Sequence, residues 1–365
     1  MKNIIVVGAG KIGSTIAEML ASTGDYHVTL VDRSAAQLGA AELPETVETL
    51  QLDIEAPGTL ETALAGKFAV LSAAPFHLTT RIAEAAAGAG VHYLDLTEDV
   101  VATRRVRQLA HTASSIPQCG LAPGFISIVA ADLASRFDTL ESVRMRVGAL
   151  PQYPSNALNY NLTWSTDGVI NEYCEPCEAI VEGELIEVPP LEEREEFSLD
   201  GVTYEAFNTS GGLGTLAETL KGKVRTLNYR TIRYPGHAAI MKALLNDLGL
   251  RHRRDVLKDI FESALPATLQ DVVIVFVTVS GRKNGRLLQE TYANKIYAKR
   301  VGDKVRSAIQ ITTASAICAV LDMLADGSLP AKGFIKQEDI ALDAFLANRF
   351  GRAYAQHEMV SRLAG

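Results

Sequence analysis

IIVVGAGKIG, residues 4–13, sets three glycines between a β-branched run and a helical pattern. Residues 4–7 read as a buried strand, and Ile12, Ile16, Met19 and Leu20 then recur at helical spacing. Gly8, Gly10 and Gly13 match G-x-G-x-x-G. In that pattern the first glycine permits a tight turn, the second admits a pyrophosphate, and the third lets helix and strand pack closely. The motif alone also fits a plain strand-to-helix turn. A strand before it, a helix after it and Asp32 at the end of the next strand, 19 residues beyond Gly13, favour a dinucleotide cradle. Its expected contacts are Gly8, Gly10, Lys11, Ile12 and Gly13, with Asp32 accepting from ribose hydroxyls.

Asp32 also bears on the choice of cofactor. A carboxylate about 4 Å from a 2′-phosphate is repelled by up to about 4 kcal/mol per charge at an effective dielectric near 20, so NAD is expected over NADP. Arg33 opposes this, because a guanidinium there could hold the phosphate or cover the adenine. Asp53 and Ile54 fall where a third strand should end and border the adenine, or Asp53 simply caps a helix. Ser72, Ala73, Ala74 and Pro75 follow a fourth strand, at the carboxyl edge where open sheets bind ligands.

The remaining first-half pattern, short β-branched runs near residues 28–31, 69–72 and 93–96 separated by alanine-rich helices, predicts a doubly wound parallel sheet over residues 1–122. After the turn at 120–124 the chain becomes polar and turn-rich, so a second α+β domain with an antiparallel or mixed sheet is expected over 123–311. Asn284-Gly285 between two β-rich runs predicts a tight hairpin. Helical patterns over 312–323 and 339–363 are expected to return to the first domain.

Bulk properties exclude several classes. With 365 residues and 47% hydrophobic content, the chain is expected to form about two folded domains. A net charge of −8 argues against a nucleic-acid binder. No apolar run in the sequence approaches a membrane span, and no secretory signal is evident, so a soluble cytoplasmic protein is expected. Four scattered cysteines fit a reducing compartment. Cys174 and Cys177 form a C-x-x-C without a second ligand pair, so no metal site is expected. Trp164 is expected in the core.

Chemistry-bearing candidates cluster at strand ends and turns. His77, Asp95 and Glu98 follow successive strands of the first domain, with helix capping the plain alternative for the two carboxylates. Arg230 and Arg233 in LNYRTIRYPGH suit either a two-pronged carboxylate contact or a surface ion pair. Gly211 and Gly212, in FNTSGGLGTL, can bring backbone close to a ligand.

Across essentially its whole length the chain resembles the saccharopine-dehydrogenase-like oxidoreductases, and within them the lysine 6-dehydrogenase branch. The likeness is carried by VVGAGKIG, AAPFHL, HYLDLTEDV, CGLAPG, YEAFNTSGGLGTL and TLNYRTIRYPGH. It implies a nicotinamide cofactor, a two-domain cleft, commonly a homodimer, and amine–imine chemistry on amino acids. It also implies that Arg233 holds the substrate carboxylate and that Asp95 and Glu98 face ammonium groups. Gly124, Phe125, Gly211 and Gly212 are the further substrate contacts expected. Saccharopine-forming relatives commonly show Asp-Pro-Gly where this chain has Ala122, Pro123 and Gly124, which counts against a glutamate-linked substrate.

The expected reaction is therefore NAD-dependent oxidation of the side-chain amine of L-lysine to allysine, which cyclises to piperideine-6-carboxylate. The alternatives are reductive joining of an amine to a carbonyl compound, of the saccharopine or carboxynorspermidine type, and a non-catalytic sensor of the cofactor's redox state. His77, Asp95 and His237 are the candidate proton acceptors.

Overall fold

A computed structural model of the chain describes residues 1–301 and 304–356. Strands β1 (Lys2–Val7), β2 (Tyr26–Asp32), β3 (Val47–Gln51), β4 (Ala69–Ser72), β5 (His92–Asp95) and β6 (Ser114–Ile116) form the first sheet. Their order is β6-β5-β4-β1-β2-β3, every pairing parallel, with helices between successive strands. This is the doubly wound sheet expected. Its order reverses beside β1, so the carboxyl ends of β1 and β4 open a crevice there.

The second sheet is mixed. It is built from β7 (Thr139–Pro151), β8 (Cys177–Val181), β9 (Glu184–Val188), β10 (Glu195–Leu199), β11 (Val202–Asn208), β12 (Val224–Arg233), β13 (Asp271–Lys283) and β14 (Arg286–Tyr297). Along its main path the order is β10-β11-β12-β7-β13-β14; only β12 and β7 run parallel. Asn284 and Gly285 take φ of 52° and 75° between β13 and β14, the positive values that a tight hairpin requires. A small hairpin, β15 (Lys299–Val301) with β16 (Lys304–Arg306), precedes the return to the first domain.

That return is made by the Ala308–Ala325 helix, which packs on the Lys11–Ala21 helix, and by β17 (Gly333–Phe334), which adds to β6 in parallel. Ile16 and Leu20 on one helix and Ile317 and Leu321 on the other are fully buried in one continuous core. Each contributes on the order of 2 kcal/mol by leaving water. Ala308–Ala325 is the one helix among the described residues long and apolar enough to cross a bilayer, contrary to the sequence expectation, and 83% of it is buried inside the fold. The helix expected over 339–363 is instead two short turns, Leu342–Ala347 and Gly351–Tyr354. Residues 357–363 lie outside the described residues.

The start of the long helix is fixed by Asp271, at the head of β13. Its carboxylate accepts the N–H of Ala308 at 2.5 Å and of Ile309 at 3.0 Å, while Ser307 and Gln310 form a reciprocal cap. This contact places Ile309, Gln310 and Thr313 between the two sheets, on the wall of a cavity there.

Candidate functional site

A cavity of about 400 Å³ lies between the domains. On the first-domain side it is lined by Gly10, Lys11, Ile12, Gly13, Ala73, Leu96, Glu98 and the 120–122 turn; on the other by Trp164, Glu172, Tyr229 and Arg233, among others.

The cofactor half follows from the glycine turn. Gly8 has φ of +106°, and a Cβ there would meet Ala73 O at 2.6 Å. A Cβ on Gly13 would lie 1.8 Å from Gly8 O, so only glycine lets this helix start so close to β1. A Cβ on Gly10 would meet nothing within 4 Å, and Gly10 faces the cavity. No side chain caps the first turn of the Lys11–Ala21 helix, so its leading N–H groups point into open space beside Gly10. Asp32 accepts the N–H of Ala9 and of Ser34, both at 2.8 Å, which orients its carboxylate over the turn. These features fit a dinucleotide: an anion-ready helix start, a gap that a Cβ would fill and an acid at the end of β2.

Other expected cofactor contacts lie off the cavity wall. Asp53 is exposed and accepts the N–H of Glu55, a local turn, and Ile54 is buried in the core on the far side of the sheet. Arg33 and Pro75 are exposed, Ser72 is buried within β4, and Ala74 packs against the core beyond it. Of the 72–75 group, Ala73 alone reaches the wall.

Arg233 ends β12 and is 2% exposed. Its Nε donates to Tyr173 Oη at 2.8 Å and its Nη1 to Ile232 O at 2.8 Å, and its guanidinium lies over the rings of Tyr160 and Tyr173. His237 completes the chain behind it: Nδ1 lies 2.8 Å from Leu158 O, and Nε2 lies 3.0 Å from Tyr173 Oη. A carbonyl only accepts, so Nδ1 carries the proton and Nε2 accepts from Tyr173. Burial, helped by the Arg233 charge, pushes His237 down to about 3, so the ring is neutral. His237 therefore supports Tyr173 and Arg233 from within the core and does not reach the cavity, which corrects its expected place as a proton acceptor.

The other two expected acceptors are also placed elsewhere. His77 is exposed on a short turn after β4, off the cavity wall. Asp95 is buried, and its carboxylate is used by Tyr93 Oη at 2.8 Å, Gln118 N at 2.8 Å and Thr97 N at 3.1 Å. Burial raises it to about 6, against those donors. Asp95 knits β5 to the 114–118 segment. The carboxylates that do face the cavity are Glu98, raised by burial, and Glu172, which the sequence reading missed. Burial pushes Glu172 up to about 8, with Arg233 pulling down and Glu98 pushing further up.

Four expected substrate contacts turn out to build the walls from behind. Gly124 has φ of +135° and a Cβ there would collide with Gly120 O at 2.0 Å, so it shapes the turn. Phe125 is fully buried and stacks on Tyr354 at 3.9 Å. Gly211 lets the second domain approach Glu98, whose Cβ would be 2.7 Å from an added Cβ, and Gly212 lies against the Tyr229 ring. Trp164, expected in the core, packs against it and also lines the cavity. Arg230 pairs with Glu193 and Glu195 on the other face of β12. Cys174 and Cys177 are buried free thiols.

Two family models match the chain. Residues 4–118 match the saccharopine dehydrogenase NADP binding domain, and residues 120–351 the saccharopine dehydrogenase C-terminal domain. Among curated proteins, it is similar to the mitochondrial alpha-aminoadipic semialdehyde synthase of Rattus norvegicus, 20% identical over 317 residues, covering 81% of this chain and 33% of the relative. It is also similar to the saccharopine dehydrogenase (NADP(+), L-glutamate-forming) of Saccharomyces cerevisiae, 24% identical over 177 residues, covering 46% of this chain and 40% of the relative. The chain thus spans about a third of the length of the synthases it matches. Among solved structures, an apo saccharopine dehydrogenase (L-Glu forming) from Saccharomyces cerevisiae shares the fold. Its TM-score is 0.77, over 95% of this chain and 97% of that one, at 17% identity.

Proposed function

The chain belongs to the saccharopine dehydrogenase family, and from that premise we propose that it is a nicotinamide-dependent oxidoreductase acting on the side-chain amine of a free dibasic amino acid, L-lysine. The charge of the substrate half of the cavity carries this reading. Its charged side chains are one arginine, Arg233, and two carboxylates, Glu98 and Glu172; Lys11 belongs to the glycine turn. Lysine offers one carboxylate and two ammonium groups, the complement of that set. Saccharopine carries three carboxylates, of which Arg233 can pair with one; the other two would lie near Glu98 and Glu172, with Lys11 of the glycine turn the one other cation on the wall among the described residues.

When bound, the cofactor supplies the acceptor for a hydride from the amine carbon. The residues around it hold and orient. Gly10 and the uncapped N–H groups beside it receive the pyrophosphate, and Asp32 receives a ribose. Arg233 takes the substrate carboxylate with the guanidinium edge that faces the cavity. Glu98, on the first-domain side, receives the proton that the side-chain ammonium must lose. Water then adds to the imine carbon, and ammonium leaves as the aldehyde forms.

The proton step sets the pH dependence. With an amine pKa near 10.4, only about one lysine in 2,500 carries a neutral side chain at pH 7, a handicap of about 4.6 kcal/mol. Glu98, held above the ordinary carboxylate range, must also be ionised to accept. Both requirements run the same way, so kcat/KM is expected to rise steadily from pH 7 towards pH 10. A flat profile over that range would exclude amine deprotonation as a limiting requirement.

NAD is the cofactor proposed, on the charge of Asp32, although the first-domain family model is described as NADP binding. Asp32→Asn keeps an acceptor for one backbone N–H and removes the charge. The ratio of kcat/KM with NAD to that with NADP is expected to fall by about 10- to 100-fold in this variant, within the repulsion of up to about 4 kcal/mol available. A wild-type preference for NADP would contradict the assignment.

The function itself is tested by offering the protein L-lysine with NAD, and separately saccharopine with either dinucleotide. Lysine alone is expected to give NADH, ammonium and an aldehyde in equal amounts. Faster turnover of saccharopine would favour the joining reaction, and dinucleotide binding without turnover of any amine would favour a sensor.

A further inference from the structure

Glu172 lies in the last turn of the Thr166–Cys174 helix, whose start is fixed by Ser165 accepting the N–H of Gly168. Its neighbour Tyr173 is buried and bonds Arg233, while Glu172 itself lines the cavity with Arg233. Among the described residues its carboxylate makes no hydrogen bond or ion pair. Arg233 acts on it only as a charge at a distance. A buried cation and a carboxylate stand on one cavity wall, close enough to feel each other yet unpaired: the Glu172 carboxylate has no partner among the described residues, and Arg233, bonded through Nε and Nη1 to neutral oxygens, has no anionic one. An α-amino acid head, with ammonium and carboxylate on adjoining atoms, supplies both missing partners at once.

We propose that Glu172 recognises the α-ammonium of the substrate, so that Arg233 and Glu172 together read the zwitterionic head of a free α-amino acid. This rests on the reading of the cavity as an amino-acid site and makes it narrower: an amine without such a head is a poor substrate. Glu98 remains for the distal amine, on the dinucleotide side.

The charge state of Glu172 gives the assignment a signature that needs no turnover. The titratable and charged groups around it are Arg233 and Tyr229 on β12, Tyr173 beside it, Tyr160, Cys177 on β8 and Glu98 from the first domain. The tyrosines and the thiol are all raised further from neutrality. With Glu172 pushed up to about 8, the empty site at pH 7 favours its protonated form. An arriving ammonium favours the ionised carboxylate, so the proton is released to solvent.

The test is calorimetry on the full chain without cofactor, in two buffers of different ionisation enthalpy, with norleucine and hexanoate as probes. Norleucine is expected to bind at pH 7 with release of a proton, and the release is expected to fall away as the pH rises past about 8. In Glu172→Gln the release disappears and norleucine affinity drops about 10- to 100-fold, whereas hexanoate, which lacks the ammonium, distinguishes the two proteins by less than about threefold. Glu172→Asp, which keeps the charge on a shorter arm, retains the release with weaker affinity and serves if the glutamine variant fails to fold. In turnover, the wild-type preference for lysine over 6-aminohexanoate collapses in Glu172→Gln through loss on the lysine side. Equal losses on both amines would make Glu172 a proton acceptor instead and overturn the proposal. Norleucine binding Glu172→Gln as it binds wild type, or no α-amino acid binding wild type, would overturn it too. If norleucine binds with proton release but lysine is not oxidised, the proposed reaction fails while the role of Glu172 stands.

Discussion

Replacing Arg233 with Ala is expected to lower kcat/KM for lysine by roughly 30- to several-thousand-fold, mostly through KM. Truncating one partner of a buried charge pair costs about 2 to 5 kcal/mol, part of it the penalty of leaving the other charge without an answer. Here the unanswered charge is the substrate carboxylate. The variant also removes the N–H that Tyr173 Oη accepts, and Tyr173 is buried together with His237, so some stability is lost as well. Arg233→Lys separates the two effects. It keeps a cation but has no planar fork to serve Tyr173, Ile232 and a carboxylate together. Its KM is expected to lie between those of wild type and the alanine variant, with a melting temperature closer to wild type. If KM for lysine is unchanged in Arg233→Ala, the arginine is not the carboxylate anchor.

The second large effect is expected at the glycine turn, where two neighbouring positions should behave differently. Gly13→Ala puts a Cβ 1.8 Å from the carbonyl oxygen of Gly8, and Gly8 is itself held at φ of +106° against Ala73. Backbone cannot yield as a flexible side chain does, so the helix start must move away from β1, at a cost of about 3 kcal/mol or more. Dinucleotide affinity should fall below detection and the melting temperature should drop. Gly10→Ala meets nothing within 4 Å, and Gly10 has an ordinary φ of −69°. Its melting temperature should therefore match wild type, while the new methyl occupies the space meant for the pyrophosphate and weakens dinucleotide binding at least about tenfold. Calorimetry with NAD beside thermal melts of both variants checks the pair. Undiminished NAD affinity in Gly10→Ala would remove the dinucleotide from this turn.

The first domain was legible because its instructions are local. A strand, a glycine turn, a helix and an acid at the end of the next strand lie within 32 residues, and their combination has one structural meaning. Strand periodicity also separates Arg230 from Arg233: three residues apart on β12, they point to opposite faces, one to Glu193 and Glu195, the other to the cavity. The second-domain half of the site was less legible. Glu172 carries no local motif, and it reaches the cavity because Tyr173 is tied to Arg233, 60 residues later. Asp95 and Glu98 looked equivalent in LDLTED. Asp95 ends a buried strand and is consumed by backbone donors, while Glu98 lies beyond the strand end in the crevice. The histidines misled for a related reason: His237 is chemically apt but locked between Tyr173 and a carbonyl, and His77 sits on an exposed turn.

Which carbon gives up hydride is the most direct question to put to the protein. L-lysine deuterated at C6 and L-lysine deuterated at C2 are each incubated with NAD, and the reduced cofactor is analysed by mass spectrometry. Deuterium is expected in NADH from the C6-labelled substrate alone, with ammonium formed in equal amount. Label arriving from C2, or no label from either position, would contradict oxidation of the side-chain amine.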